Sequence, residues 1–149
     1  MYENNSHDKR YRKTMSFLKH FIPQGSSILD LGVINPLSQL MQQQGYKVKN
    51  TEGEDLDEDQ SALINSKAEV VTAFEILEHL LSPYQVLKSI NADKLVVSVP
   101  LRLWFSPAYR SKKDSWDRHY HEFEDWQLDW LLEKTGWKII ARDQWTNPN

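Results

Sequence analysis

The sequence contains no cysteine among its 149 residues. This absence excludes a disulfide framework, a thiolate metal site and a thiol nucleophile. No apolar run approaches the roughly 20 residues of a membrane span, and residues 1–10 lack the apolar stretch of a signal peptide. The net charge of -3 gives no general attraction to a phosphate backbone. We therefore expect a cytoplasmic protein with no membrane partner and no general nucleic-acid binding.

The composition is that of an ordinary globular protein, with 40% hydrophobic and 26% charged residues. The length fits a single domain over residues 1–149, in which residues 1–10 form a flexible polar N-terminus. Neither an internal repeat nor a linker rich in proline and glycine marks a domain boundary.

Apolar periodicity and residues that stop helices divide the chain into alternating helices and strands. Helices are predicted at residues 11–22, 36–44, 75–81, 84–90 and 124–134, the second starting at Asn35-Pro36 and the fourth capped by Ser82-Pro83. Strands are predicted at residues 27–32, 47–51, 68–74, 94–99 and 137–142. Parallel neighbours need crossover connections, so this alternation predicts an α/β fold with a mostly parallel sheet of about five strands.

Four stretches, taken in order, carry a family resemblance. They are the run ILDLG at 28–32, Glu52 after the second strand, the run VVTAFEILEHL at 70–80, and the run HEF at 121–123 with the helix that follows it. This order resembles the class I S-adenosylmethionine-dependent methyltransferases. The resemblance implies a Rossmann-like three-layer sandwich with a shortened sheet. It also implies S-adenosylmethionine as cofactor and methyl transfer to a small or anionic acceptor, a nucleotide-like one included.

The resemblance implies a cofactor crevice at the carboxyl ends of the strands, where open α/β sheets bind ligands. Gly32, Glu52 and Phe74 would line it, because each follows or ends a strand. Glu52 stands where the family places a carboxylate that accepts hydrogen bonds from both ribose hydroxyls. Six of the eight residues at 52–59 are acidic, so Glu52 is alternatively an ordinary solvated acid of that loop.

Three further cofactor residues follow from the same resemblance. Asp55 would accept a hydrogen bond from the exocyclic amine of adenine, and Leu56 would cover the ring. Asp30, within the first strand, would orient the glycine loop and the amino end of the methionine moiety. As an alternative, Asp30 is a capping or turn acid.

The glycine loop departs from the family pattern. The family has G-x-G-x-G, whereas this chain has GVINP at 32–36. Ile34 places a branched side chain where the backbone approaches the ligand, and Pro36 removes an amide donor. Two functions follow: a methyltransferase whose site keeps its shape by other means, or a methyltransferase-like binding or scaffold protein that has lost the cofactor. A nicotinamide-dependent oxidoreductase is disfavoured, because no G-x-G-x-x-G follows the first strand.

A set of carboxylates and imidazoles follows the third strand. Glu75, Glu78 and His79 would share one face of a helix at spacings i, i+3 and i+4. Together with His121 they resemble the metal site of small-RNA 2′-O-methyltransferases. The same E-x-L-E-H run occurs across metal-free relatives as a helix start, where Glu favours the positive end of the dipole. We therefore assign no metal ligand and leave the catalytic residues open.

The connection at 101–123 mixes cations with aromatic rings. Its members are Arg102, Arg110, Lys112, Lys113 and Arg118 among Trp104, Phe105, Tyr109, Trp116 and Tyr120. They either bind an anionic, ring-bearing acceptor or form a second core with a solvated rim. His119 and His121 would face the same way in an extended segment. Trp126 and Trp130, at i and i+4, are predicted to be the buried face of the last helix.

Overall fold

The computed structural model of the protein describes residues 3–101 and 118–146. The helices are α1 (Glu3–Phe21), α2 (Pro36–Gln43), α3 (Ser61–Ile64), α4 (Pro83–Ser89) and α5 (Asp125–Lys134), with a 3₁₀ turn at Leu77–His79. The strands are β1 (Ser27–Asp30), β2 (Lys47–Asn50), β3 (Val70–Phe74) and β4 (Lys94–Ser98). Most of these elements were predicted from the sequence, because apolar period and helix-stopping residues are local signals.

The four strands form one parallel sheet in the order β2-β1-β3-β4. In the register, Asp30 lies between Asn50 of β2 and Thr72 of β3. Helical segments connect the parallel strands, as a crossover requires. The predicted α/β class with a parallel sheet is therefore confirmed.

Two apolar clusters cover the two faces of the sheet. On one face, α1 and α2 pack against the strands through Leu18, Ile22 and Met41. On the other face, the core contains residues of α3, α4 and α5, among them Leu63 and Leu87. The strand side chains alternate between the two clusters, as the pleat of a strand dictates. This arrangement is the predicted three-layer sandwich.

The start of α2 has the predicted cap. The side chain of Asn35 accepts hydrogen bonds from the backbone N–H groups of Leu37 and Ser38, and Pro36 occupies the first helical position. Helix α1 begins earlier than the periodicity indicates: it includes residues 3–10, the segment expected to be a flexible polar terminus.

The fifth predicted strand, at 137–142, is wrong. In the described part of the chain the sheet has four strands, and residues 137–142 are outside it. Trp137 and Ile139 pack against the core, and Arg142 pairs with Asp129 of α5 at 2.8 Å. The apolar residues of this segment thus pack against the core although the segment has no partner strand among the described residues.

The helix predicted at 75–81 is also wrong, because it is reduced to the single 3₁₀ turn Leu77–His79. Glu75 has a φ of 57°, in the left-handed region, which cannot continue into a right-handed helix. Leu80 is extended. Glu75, Glu78 and His79 therefore do not share a helix face.

The cap of α4 differs from the prediction as well. The Ser82 side chain makes no capping hydrogen bond. Instead, the carboxylate of Asp57 accepts from the backbone N–H groups of Leu81 at 2.9 Å and of Ser82 at 2.7 Å. An acid that is distant in sequence thus replaces the local cap, which a local sequence pattern does not indicate.

Trp126 and Trp130 were expected to be buried, and this prediction is wrong. Their side chains are 44% and 64% exposed, and the rings contact each other edge to face. Leu132 is the residue of α5 that is buried. A spacing of i and i+4 shows that two residues share a helix face, but it does not identify which face is buried.

Two remaining expectations concern longer segments. Most of the mixed cationic and aromatic connection, at 102–117, lies outside the described residues. Among the helices at 3–101 and 118–146, none is both long and apolar enough to cross a bilayer.

Candidate active site

The loop that follows β1 includes Gly32, which has a backbone conformation typical of glycine. This residue has a φ of 107°, which side chains rarely adopt. Its N–H donates to Oγ1 of Thr51 at 2.7 Å, and its carbonyl accepts from Nδ2 of Asn50 at 3.0 Å. A Cβ at Gly32 would lie 3.4 Å from Cδ1 of Ile76. The loop is thus fixed by side chains from β2 and lies against the turn that follows β3.

Asp30 is the buried acid behind this loop, with a side chain 3% exposed. Its Oδ1 accepts from Oγ1 of Thr72 at 2.6 Å, and its Oδ2 accepts from Nδ2 of Asn50 at 3.0 Å. Burial raises its pKa to about 6, although both hydrogen bonds oppose the rise. Because Asn50 also binds the carbonyl of Gly32, Asp30 reaches the glycine loop through Asn50.

The loop that follows β2 lies beside the glycine loop. The register pairs Asp30 with Asn50, which places Gly32 and Glu52 two residues further along neighbouring strands. Gly53 has a φ of 88°, and a Cβ there would lie 3.2 Å from Cγ1 of Val33. The two loops are therefore in contact, and the carboxylate of Glu52 is on an exposed residue next to them.

The other predicted cofactor residues differ in accessibility. Asp55 is exposed and accepts the backbone N–H of Asp57 with its Oδ1. Leu56 is buried in the larger core, so little of its side chain is accessible to an adenine ring. Phe74 is half-buried at the end of β3 and packs on the side covered by α1 and α2. Their roles toward a cofactor stay predictions.

The two unusual residues of the glycine loop do not fill the protein interior. Ile34 is 66% exposed. Pro36 is in the first turn of α2, where its missing N–H would have no partner within the helix. The departure from the glycine pattern thus leaves the positive φ of Gly32 and the helix start intact.

The chain matches the family model described as a methyltransferase domain over residues 4–142. It belongs to the methyltransferase domain family. A search of curated proteins finds no significant match. The match covers the glycine loop, the loop after β2 and the turn after β3, so all three are parts of this methyltransferase domain.

Two carboxyl groups form what we call the acid pair of the methyltransferase domain, Glu75 and Glu78. The Glu78 side chain is 1% exposed, and its oxygens have no hydrogen-bond partner beyond the Glu75 carboxyl group and the backbone of Glu78 itself. The Glu75 side chain is 27% exposed, and its buried Oε2 has no partner other than the Glu78 carboxyl group. The left-handed backbone of Glu75 adds strain of about 1–3 kcal/mol. Such costs persist only where the surrounding structure imposes them.

Charges surround the acid pair. Nη1 of Arg10, on α1, lies 3.9 Å from Oε1 of Glu75, and Nε2 of His79 lies 3.9 Å from Oε1 of Glu78. Burial raises the pKa of both carboxyl groups. For Glu78 the pKa rises to about 9, because the charge of Glu75 adds to the desolvation.

The three histidines near the turn face different partners. Nδ1 of His79 donates to the carbonyl of Arg118 at 3.1 Å, and Nε2 of His121 donates to the carbonyl of Leu81 at 3.1 Å. Carbonyls only accept, so these bonds assign the protonated nitrogen of each neutral ring. His119 contacts the ring of His79 and pairs with Glu122. Within residues 3–101 and 118–146, no three acids or imidazoles converge as a metal site.

Sequence reasoning missed the residues that hold the loops in place. Asn50, Thr51 and Thr72 support Gly32 or Asp30, and Asp57 caps α4. A polar residue within an otherwise apolar strand, such as Thr72 in VVTAF, is the signal that could have found them. A shallow depression that includes Ser66 lies at the amino ends of β3 and β4, away from these groups.

Proposed function

We propose that this methyltransferase domain uses S-adenosylmethionine as its methyl donor and binds it across the carboxyl ends of β1 and β2. The observation that carries the proposal is the adjacency of Gly32 and Glu52. The glycine loop and the exposed acid are adjacent at the carboxyl ends of the strands, where this fold binds a nucleoside ligand.

Each loop offers a different contact to the donor. The positive φ of Gly32 keeps the backbone accessible, because no Cβ covers it. The carboxylate of Glu52 has two acceptor oxygens for two ribose hydroxyls. Asp55 lies three residues further along the same loop and is available to the amine of adenine. The proposal thus assigns the ribose to Glu52 and the methionine arm to the side of Gly32.

The residues that departed from the family pattern do not argue against this function. Ile34 is exposed, and Asn35 and Pro36 form a regular helix start. The family match names a methyltransferase domain and does not favour the alternative of a binding or scaffold protein. The acceptor that we propose is small or anionic.

Thermal unfolding with S-adenosylhomocysteine tests the proposal. Ligand at a hundred times its Kd stabilises the folded state by about 2.7 kcal/mol. For a chain of this size, that gain raises the Tm by about 5–10 °C. Wild-type protein whose Tm does not move at millimolar ligand would contradict the proposal.

A matched pair of variants locates the ribose. Glu52→Ala removes an acceptor of two hydrogen bonds to a charged group, so we expect the Kd for S-adenosylhomocysteine to rise at least about tenfold. Glu58→Ala removes an exposed acid of the same loop and should leave the Kd unchanged. Equal effects of the two substitutions would mean that the loop acts through its overall charge and that Glu52 has no specific role.

A further inference from the structure

The acid pair carries an energetic cost that the fold does not explain. Three of its four carboxyl oxygens are buried with no hydrogen-bond partner outside these two residues, the two carboxyl groups bond to each other, and Glu75 has left-handed backbone. A buried polar atom that lacks a partner costs the full desolvation of that group. Unpaired and strained groups of this kind accumulate where a ligand completes the arrangement.

The acid pair lies next to the proposed position of the methyl donor. Glu75 directly follows β3, and its N–H donates to the carbonyl of Ser98, so it extends the ladder between β3 and β4. The next residue, Ile76, packs against Gly32. Glu75 is therefore beside the glycine loop, at the carboxyl end of the sheet, where open α/β sheets bind their ligands.

The charges around the pair favour a single negative charge on Glu75. Arg10 faces Glu75 from α1, whereas the nearest nitrogen to Glu78 is Nε2 of His79. That nitrogen carries no proton in the neutral ring, because Nδ1 is the one that donates to Arg118. His119 and Glu122, from the segment after residue 117, complete the set of ionisable groups described near the pair.

The two carboxyl groups of the pair differ in their surroundings. The raised pKa of Glu78, about 9, keeps this buried group protonated. Burial raises the pKa of Glu75 too, whereas the Arg10 guanidinium beside it favours the carboxylate form.

We propose that Glu75 is the catalytic residue that accepts the proton of the methyl acceptor, and that the acceptor reacts through a hydroxyl or an amine. This inference rests on the proposed function. A lone pair on oxygen or nitrogen forms the bond to the methyl carbon, and the bond from that carbon to sulfur breaks. Its electron pair goes to sulfur, which changes from a sulfonium to a thioether, and the acceptor's proton goes to the Glu75 carboxylate. Glu78 is a positioning residue that acts through Glu75.

The test measures S-adenosylhomocysteine formed from S-adenosylmethionine with a fixed panel of acceptors. The panel contains alcohols, phenols, catechol and primary amines, together with benzoate and a thioether, which have no proton to lose. For an acceptor that turns over, Glu75→Gln should lower kcat by about 10²–10⁴-fold. Its Tm and its Kd for S-adenosylhomocysteine should stay close to the wild type.

Two further variants separate a chemical role from a structural one. Glu78→Gln keeps the shape and the hydrogen-bond donor of a neutral carboxyl group, so we expect kcat within about tenfold of the wild type. Its profile of kcat against pH should shift, whereas Glu133→Gln, an exposed substitution on α5, should change neither kcat nor the profile. The acidic limb of the wild-type profile should be absent in Glu75→Gln.

Three results would overturn the inference. The first is a Glu75→Gln variant that keeps its kcat, and the second is wild-type turnover of benzoate or the thioether alone. The third is a wild-type protein that binds S-adenosylhomocysteine and methylates no hydroxyl or amine of the panel. Wild-type protein that binds no S-adenosylhomocysteine contradicts the proposed function itself, so the two failures are distinguishable.

Discussion

Both oxygens of the Asp30 carboxyl group accept hydrogen bonds from side chains of neighbouring strands, whereas the carboxyl group of Glu78 has no partner beyond Glu75 and its own backbone. Asp30 is the last residue of β1, and Glu78 lies in the turn after the neighbouring strand β3, so both buried acids are at the same end of one sheet. The first belongs to a network that fixes the glycine loop, and the second to the acid pair that follows β3. The comparison teaches that burial alone does not define a functional acid, because the number of its partners separates a structural group from one left available to a ligand.

The backbone shows the same contrast. Gly32 adopts a positive φ without cost, because glycine has no Cβ. Glu75 adopts a positive φ with a full side chain, and it is the non-glycine residue that does so in the described chain. The proposed donor side of the site is thus relaxed, and the proposed acceptor side is strained.

The largest effect that follows from this comparison is on the network of Asp30. Asp30→Ala leaves the hydroxyl of Thr72 and the amide of Asn50 without their acceptor inside the protein. We expect the free energy of unfolding to fall by about 2–4 kcal/mol, measured by urea denaturation. Glu58→Ala, at an exposed acid of the loop after β2, serves as the control. A loss below about 1 kcal/mol would mean that the network does not hold the loop.

Substitution of Glu78 in the acid pair should stabilise the protein, whereas substitution of Asp30 should destabilise it. The raised pKa of Glu78 means that the folded protein retains a proton that the unfolded chain loses near pH 4.5. Stability from this group is therefore complete below pH 4.5 and is lost as the pH rises toward about 9. Glu78→Gln should remove this pH dependence. The difference in free energy of unfolding between Glu78→Gln and the wild type should therefore increase, in favour of the variant, by at least about 1 kcal/mol from pH 5 to pH 9.

Denaturation of both proteins at several pH values checks that prediction. Glu133→Gln, the exposed control on α5, should follow the wild-type curve. Parallel curves for Glu78→Gln and the wild type would show that Glu78 is ionised, or has partners, in the folded protein. The contrast with Asp30 would then be lost.

The smallest effect concerns the link between the two regions. Asp57 belongs to the loop after β2, and its carboxylate binds the N–H groups of Leu81 and Ser82 beyond the acid pair. Asp57→Ala should lower the free energy of unfolding by about 1 kcal/mol, in the range of a lost helix cap. Ser82→Ala should cost less, because its side chain does not cap the helix. Equal losses in urea denaturation would assign the cap to Ser82.

The sequence alone could predict the elements whose signals are local. The strand before Gly32, the cap at Asn35 and the helix before Gly136 each depend on neighbouring residues, and each is found. The resemblance in turn predicts the site at the loops after β1 and β2, and this location stays a prediction.

The remaining features depend on contacts that are distant in sequence. The left-handed turn at Glu75 and the cap from Asp57 are fixed by tertiary packing, so a local pattern predicts a helix there instead. Trp126 and Trp130 have the spacing of a buried face, but Leu132 occupies the core. The partners of Asp30 come from two other strands, and only the register of the sheet reveals them.

Amide hydrogen exchange with and without S-adenosylhomocysteine tests the central claim most directly, because it locates the donor on one end of the sheet. We predict slower exchange at residues 31–35 and 52–57, and no change in the depression at 66–69 and 91–93 on the opposite end. Protection confined to 66–69 and 91–93, or absent from the whole chain at saturating ligand, would contradict the account.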